Sequence, residues 1–309
     1  MARYAIQRLI GVIPLLFIVS IAVFMFIHLI PGDPARLVAG KEATYDEIEA
    51  IRTHLGLDLP LWKQYLNYMS DLLRGEFGTS LSSGLPVSDM IASRLAPTIW
   101  LTFLSMGWAL VIGLLVGIIS AVFHNKWPDY VGMLGAISFL SIPGFWLGLV
   151  LIQLFSVELR WLPTGDLESW KGYILPSFTL GSGIMSMIAR YTRSSMLETM
   201  RMEYVRTARA KGLREKIVIG RHALRNSLIE VITVAGLQFG FLLGGSVLVE
   251  TVFSIPGLGR LLVDSINLRD YTVIQALLLL FALEFIIINL IVDLLYGVIN
   301  PKIRYSSNG

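Results

Sequence analysis

The chain has 309 residues, 55% of them apolar and 15% charged, with a mean hydropathy of +0.69. That is too few charges to clothe a soluble globule of this size, and it points to a membrane protein. The absence of cysteine excludes disulfides, thiolate metal sites and cysteine nucleophiles together, and with a formal net charge of only +3 the placement of charge says more than its sum.

Leu9 to Ile30 is an almost unbroken apolar run preceded by Arg3 and Arg8, and about 20 such residues suffice to cross a bilayer. A signal peptide is the competing reading. The run is long for one, however, and it is followed by Pro31-Gly32-Asp33-Pro34 rather than a small-residue cleavage site, so the sequence predicts an uncleaved first span over residues 1–30. His28, near its end, reads as an interface residue.

The segment 31–96 is the one sizeable polar region, and Asp33 to Arg94 holds 9 acidic residues against 6 basic ones. Thr44-Tyr45-Asp46-Glu47 has the capping-box form, with Ile48, Ile51 and Leu55 following at helical spacing before Gly56. A second short helix is predicted from Pro60 to Leu73, with Trp62, Leu66, Met69 and Leu73 on one face, and Gly75 to Ser80 breaks it. Such a face either lies on lipid or docks a partner.

Three apolar stretches follow, at Pro97 to Phe123, Val131 to Val157 and Ile174 to Ala189. Pro143 should kink the second, and the Gly113/Gly117 and Gly144/Gly148 pairs read as close helix contacts. Trp161, Trp170 and Tyr173 mark a water–lipid boundary. Ser227 to Val249 and Thr272 to Ile299 complete six spans. In the fifth, Gly236, Gly240 and Gly244 leave a groove that either seats a neighbouring helix or lines a passage. Gln238, Glu250, Glu284, Asn289 and Asp293 should each face protein or a water-filled path, because facing lipid is costly.

Between spans four and five lies a basic stretch. From Arg190 to Arg225 there are 10 Lys or Arg residues against 3 Asp or Glu. One Arg at the bilayer centre costs on the order of 3 kcal/mol, so this segment must lie in water. With both termini inside, Arg3, Arg8, Lys126, the Arg190 to Arg225 cluster, Lys302 and Arg304 all fall on the cytoplasmic side, and the acidic 31–96 region falls outside. The predicted fold is therefore an all-α membrane protein. It has six transmembrane helices, an extracytoplasmic helical insertion after the first, a core over 97–300, and a cytoplasmic tail at 301–309.

None of the seven lysines is followed by Ser or Thr, so there is no phosphate loop of the G-x-x-x-x-G-K-[ST] type. There is no H-E-x-x-H motif, and the histidines at 28, 54, 124 and 222 are scattered. The sequence thus predicts no enzyme and no cofactor or metal held by this chain. In the segment 196–226, Met196, Met200 and Tyr204 fall at helical spacing, as do Ile217, Leu224 and Leu228, with Gly212 between the two runs. This predicts two short helices joined by a sharp turn. Such a unit can anchor topology against anionic headgroups, read DNA as a helix-turn-helix, or dock a cytoplasmic partner. The short tethers to the flanking spans argue against DNA.

Tyr204-Val205-Arg206-Thr207-Ala208-Arg209-Ala210-Lys211-Gly212-Leu213 resembles the coupling-helix signature of the permease subunits of ATP-binding cassette importers for dipeptides, oligopeptides, glutathione and nickel. Pro31 to Ala35, Gly75 to Ser80, Trp161 to Gly165, Glu250 to Arg260 and Asp293 to Tyr296 resemble the same family in order along the chain. Ser156 to Leu159 and Leu237 to Ser246 look most like its glutathione branch. Two departures stand out. Arg206-Thr207-Ala208 stands where the general loop has E-A-A, and Glu230 stands where this branch usually has Pro.

The resemblance implies a bacterial inner-membrane importer subunit. It would pair with a second homologous permease, two ATP-binding cassette ATPases that bind ATP and Mg, and an extracytoplasmic substrate-binding protein, with lipid around it and no nucleic acid. It implies that Glu203 to Leu213, that is Glu203 and the ten residues quoted above, dock the ATPase. Gln238, Gly240, Gly244, Glu250 and Glu284 are candidates for the path. A nickel or metal-chelate importer of the same family is the nearest alternative, and an ATP-independent secondary transporter or channel is the rival of another class.

Overall fold

The computed structural model describes residues 2–29, 34–39, 43–54, 56–165, 167 and 169–299. The predicted turn at 31–33, the end of the Ile48/Ile51/Leu55 pattern and the tail at 301–309 lie outside the described residues, as do the side chains of Arg3, Arg8, His28 and Asp293. Among the described residues the elements are helical, apart from an isolated bridge between Thr79 and Pro86.

The first helix, α1 (Ala2–Leu29), carries the apolar stretch Ile10–Met25. A short α2 (Pro34–Ala39) leads to α3 (Tyr45–His54), which starts on the expected capping box. The Thr44 amide donates to Glu47 Oε2 at 2.8 Å, and the Glu47 amide donates to Thr44 Oγ1 at 3.4 Å. These contacts hold the Glu47 carboxyl below its ordinary pKa, through the Thr44 amide first and the hydroxyl second. Gly56 closes the segment at φ +66°.

Helix α4 (Leu61–Leu73) forms where predicted and packs on α1 through its tyrosines. Tyr65 meets Ser20 through its hydroxyl at 2.8 Å and packs edge-on against Phe17 and Phe24, with Tyr68 beside Phe24. Each tyrosine covers its ring against α1, whereas the Trp62/Leu66/Leu73 face stays exposed.

Helix α5 (Val87–Val122) starts ten residues before the expected Pro97, so the end of the polar region is already helical. Pro97 is tolerated within it. Helix α6 (Trp127–Ser141) and α7 (Gly144–Leu151), which runs on as a π-turn through Glu158, replace the single kinked span. The two axes turn by 101°. The cause is local: Pro143 has no N–H and its ring excludes the carbonyl four residues back, while Ile142 before it is pushed to an extended ψ of 126°.

A 3₁₀ turn (Trp170–Tyr173) feeds α8 (Ile174–Met200), which continues past the expected Ala189 and carries Arg190 and Arg193. Next come α9 (Glu203–Ala210), α10 (Glu215–Ile217) with a π-turn through Leu224, α11 (Arg225–Val252), α12 (Leu258–Leu268) and α13 (Tyr271–Ile299). Helix α12 occupies a stretch the sequence reads as loop.

Val87–Val122, Trp170–Met200 and Tyr271–Val292 are each long and apolar enough to cross a membrane. Two bent pairs, Trp127–Ser141 with Gly144–Glu158 and Glu215–Leu242 with Ser246–Val252, would each add one more if counted as a span.

The core sits where α5 crosses α8 and α11, around Met106, Ala109, Ile184, Met185, Ile188, Val231 and Leu242. Two glycines set that crossing. A Cβ on Gly113 would lie 2.8 Å from the Met185 carbonyl, and one on Gly117 would lie 2.6 Å from the Ala189 carbonyl. Both partners are backbone and cannot yield. Gly117→Val should therefore destabilise the fold by about 3 kcal/mol, the upper range for overpacking, and lower the yield of monodisperse detergent-purified protein. Gly135→Ala, where nothing lies within 4 Å, should match the parent and serves as the control.

Two buried aspartates tie the ends of the bundle. Asp129, on the first turn of α6, receives Arg193 Nε at 2.6 Å and Nη2 at 2.7 Å, and the Asn125 amide at 3.0 Å, with His124 Nδ1 at 3.3 Å. Asp270, which caps α13, receives Ser80 Oγ, the Leu81 amide at 3.1 Å and Ser82 Oγ at 2.9 Å, so the loop after Gly75 to Ser80 is fastened to α13.

Candidate functional site

The basic segment between α8 and α11 folds as an elbow. Helix α9 is amphipathic: Val205 and Ala208 are buried against Val218, while Glu203, Tyr204, Arg206, Thr207, Arg209 and Ala210 face outward. Its end is a Schellman cap. The Gly212 amide donates to the Arg209 carbonyl at 2.9 Å, and the Leu213 amide to the Ala208 carbonyl at 3.4 Å, with Gly212 at φ +76°. An L side chain there would be strained whatever the space around it.

Side chains then lock the elbow. Arg209 pairs with Glu215 at 2.8 Å, Asn226 Nδ2 donates to the Tyr204 hydroxyl at 2.6 Å, and that hydroxyl donates to the His222 carbonyl at 3.2 Å. The structure thus brings Tyr204, Val205, Ala208, Arg209 and Gly212 into one rigid unit. Arg206, Thr207, Ala210, Lys211 and Leu213 remain on its outer surface. Arg206 makes only an exposed pair with Glu203, at 2.9 Å, and such pairs contribute little. The result is an apolar-backed elbow whose outward charged residues are mostly cationic.

The five path candidates differ in their surroundings. Gly240 is buried, and a Cβ on it would lie 2.9 Å from the Phe285 ring; one on Gly236 would strike Val292. Both glycines seat α13. Gly244, two turns on from Gly236, is exposed with nothing within 4 Å. The glycine stripe therefore divides, with its first two members used for packing and its third left open. Gln238 donates to Met187 Sδ at 2.9 Å, and Glu284 is half-buried with Oε2 enclosed and lacking a hydrogen-bond partner.

Glu250 faces protein, one of the two surroundings expected of it, and is fully buried. Oε1 accepts from Thr98 Oγ1 at 2.7 Å and Oε2 from the Arg260 amide at 3.0 Å, while Ser246 and the Gly259 amide also reach the carboxyl. Thr98 Oγ1 in turn accepts from the Leu258 amide at 2.9 Å. The carboxylate thus caps the first turn of α12, where unpaired amides and the helix dipole favour negative charge. Any side chain at Gly257 or Gly259 would strike it. The Glu250 to Arg260 motif is accordingly a fold-back in which Glu250 and the side-chain-free positions 257 and 259 depend on one another.

Sequence reasoning also missed a cleft of about 360 Å³ at the α6–α7 break, lined by Ile142, Pro143, Thr179, Ser182, Gly183 and Leu248. Leu248 lies four residues beyond Gly244, across the bend of α11 between Leu242 and Ser246. The only signal for it in the sequence was Pro143 together with the small polar residues of α8.

Residues 113–305 match the family model described as binding-protein-dependent transport system inner membrane component, and residues 1–102 match its N-terminal companion. The glutathione transport system permease protein GsiC of Escherichia coli (strain K12) is 57% identical over 305 residues, covering 99% of this chain and 100% of that protein. GsiC of Shigella dysenteriae serotype 1 (strain Sd197) is similar to the same extent, 57% over 305 residues and the same shares of each chain. Among solved structures, the inward-facing MetNI methionine ABC transporter aligns with a TM-score of 0.58 at 21% identity, over 68% of this chain and 96% of that one. An amino acid ABC transporter with histidines aligns at 0.52 and 15% identity, over 70% and 94%. At these identities the structural matches establish a shared fold.

Proposed function

This chain belongs to the inner membrane components of binding-protein-dependent transport systems, and from that premise we propose that it is one of two permeases enclosing the path of an ATP-driven glutathione importer. The observation that carries the substrate is the 57% identity, end to end, with a relative named as a glutathione permease. Di- and oligopeptides are the neighbouring substrates in this reading, since they share glutathione's peptide bonds and terminal charges.

The reading assigns six spans to α1, α5, the α6–α7 pair, α8, α11 and α13, with both termini cytoplasmic. The positive-inside rule supports it, because the Arg190 to Arg225 cluster and Lys126 then share the inner face. The elbow from Glu203 to Leu213 is the docking piece for one of two ATPases, which hold ATP and Mg; its mostly cationic outward charge supports that role. The path runs along α11 by Gln238 and the open Gly244 toward the cleft at the α6–α7 break, with Glu284 on α13 as a further candidate. An external binding protein delivers cargo to the acidic side.

Uptake of labelled glutathione tests the proposal. Cells carrying this chain with its second permease, ATPases and binding protein should accumulate the label, stop when ATP is depleted, and be competed by unlabelled dipeptides. Uptake that follows an ion gradient and survives loss of the ATPases would identify a secondary transporter instead. Competition by a nickel chelate but not by peptides would move the cargo to metal chelates.

A further inference from the structure

Helix α4 has three arcs, and only two have an evident environment. Tyr65 and Tyr68 dock on α1, and Lys63, Asn67 and Asp71 form a polar arc on the far side. Between them runs an apolar stripe in which Trp62 is 61% exposed, Leu66 55% and Leu73 83%. On a 100° wheel the stripe adjoins the docked arc on one flank and the polar arc on the other.

The depth of α4 identifies what covers the stripe. Its contacts on α1 are Phe17, Ser20 and Phe24, all within the apolar stretch Ile10–Met25. Ser20 lies nine residues before the end of α1, about 13 Å along its axis. Helix α4 therefore runs beside the apolar part of α1 and not above its end. Ile13, Ile18 and Met25 of α1 are themselves exposed apolar side chains, so the stripe extends a surface already made for lipid. Lys63 Nζ lies 5.4 Å from the centre of the Trp62 ring, an ammonium and an indole at the border between the apolar and polar arcs, which is the arrangement favoured where acyl chains give way to phosphates.

We propose that α4 is an interfacial helix whose Trp62–Leu66–Leu73 stripe is covered by the lipid of the adjoining leaflet, leaving Lys63, Asn67 and Asp71 to headgroups and water. This rests on the reading of α1 as a membrane span.

The natural lack of cysteine makes the test direct. Single cysteines at 62, 66, 73, 67 and 71, with Ile18→Cys on α1 as the span control, are nitroxide-labelled in the full chain, assembled with its second permease and ATPases and reconstituted into phosphatidylethanolamine–phosphatidylglycerol vesicles. Collision with oxygen is then compared with collision with water-soluble chromium oxalate. The oxygen preference should be several-fold higher at 62, 66 and 73 than at 67 and 71, and unchanged when binding protein is added. Labels at 62, 66 and 73 as open to chromium oxalate as those at 67 and 71, or screened from both reagents, would overturn the proposal in favour of water or a protein cover. A label at 18 that lacks the oxygen preference would instead sink the span assignment on which the proposal stands.

Discussion

Gly212→Pro should leave the chain folded in the membrane while glutathione accumulation falls at least tenfold and ATP hydrolysis by the assembled transporter continues. Proline cannot take the φ of +76° found at this position, and it removes the amide that donates to the Arg209 carbonyl. Losing both costs about 3 kcal/mol locally, on the order of a hundredfold in the population of the capped elbow. No packed neighbour adds to the damage, since nothing lies within 4 Å of a Cβ at this position. Gly212→Asn, which tolerates left-handed backbone, should keep most of the transport. Normal accumulation by the proline variant, measured beside its ATPase rate, would refute the docking role of Glu203 to Leu213.

Glu250→Ala should act on the fold itself. It strips the acceptor from Thr98 Oγ1 and from the amides at the start of α12, all in a buried site. Stranding these donors costs about 3 kcal/mol. The purified variant should unfold at a clearly lower temperature than the parent and be cleaved by protease near Ser254 to Gly259. Glu250→Gln retains one acceptor oxygen and should recover part of the loss. An unchanged unfolding midpoint for the alanine variant would mean that the carboxylate does not hold the fold-back together.

How far the sequence disclosed this structure depended on the chain distance between interacting groups. Thr44 and Glu47 are three residues apart, and the capping box was visible by inspection. The Gly212 turn likewise showed, because the cap that closes α9 is built from Ala208 to Leu213. By contrast, Thr98 and Glu250 are 152 positions apart, and Ser80 and Asp270 are 190 apart. No periodicity links such pairs, so the sequence required Glu250 to face protein or a water-filled path without naming its partner. Helix α12 was hidden for a different reason: Pro256-Gly257-Leu258-Gly259 has the composition of a turn, and the Glu250 carboxylate that caps it, ten residues before Arg260, matches no standard capping spacing. In α4 the helix and its apolar face were legible, but the side that meets α1 was not, since Tyr65 finds Ser20 at a separation of 45 positions.

Helix α8 runs without interruption from Ile174 to Met200, about 40 Å, and only Arg201 and Met202 separate it from α9. A joint of two residues has almost no slack, and the Asp129–Arg193 clamp grips the shaft just before it. A displacement of α9 would therefore pass to α8 with little loss in the joint, and α8 is the helix that α5 crosses at Gly113 and Gly117.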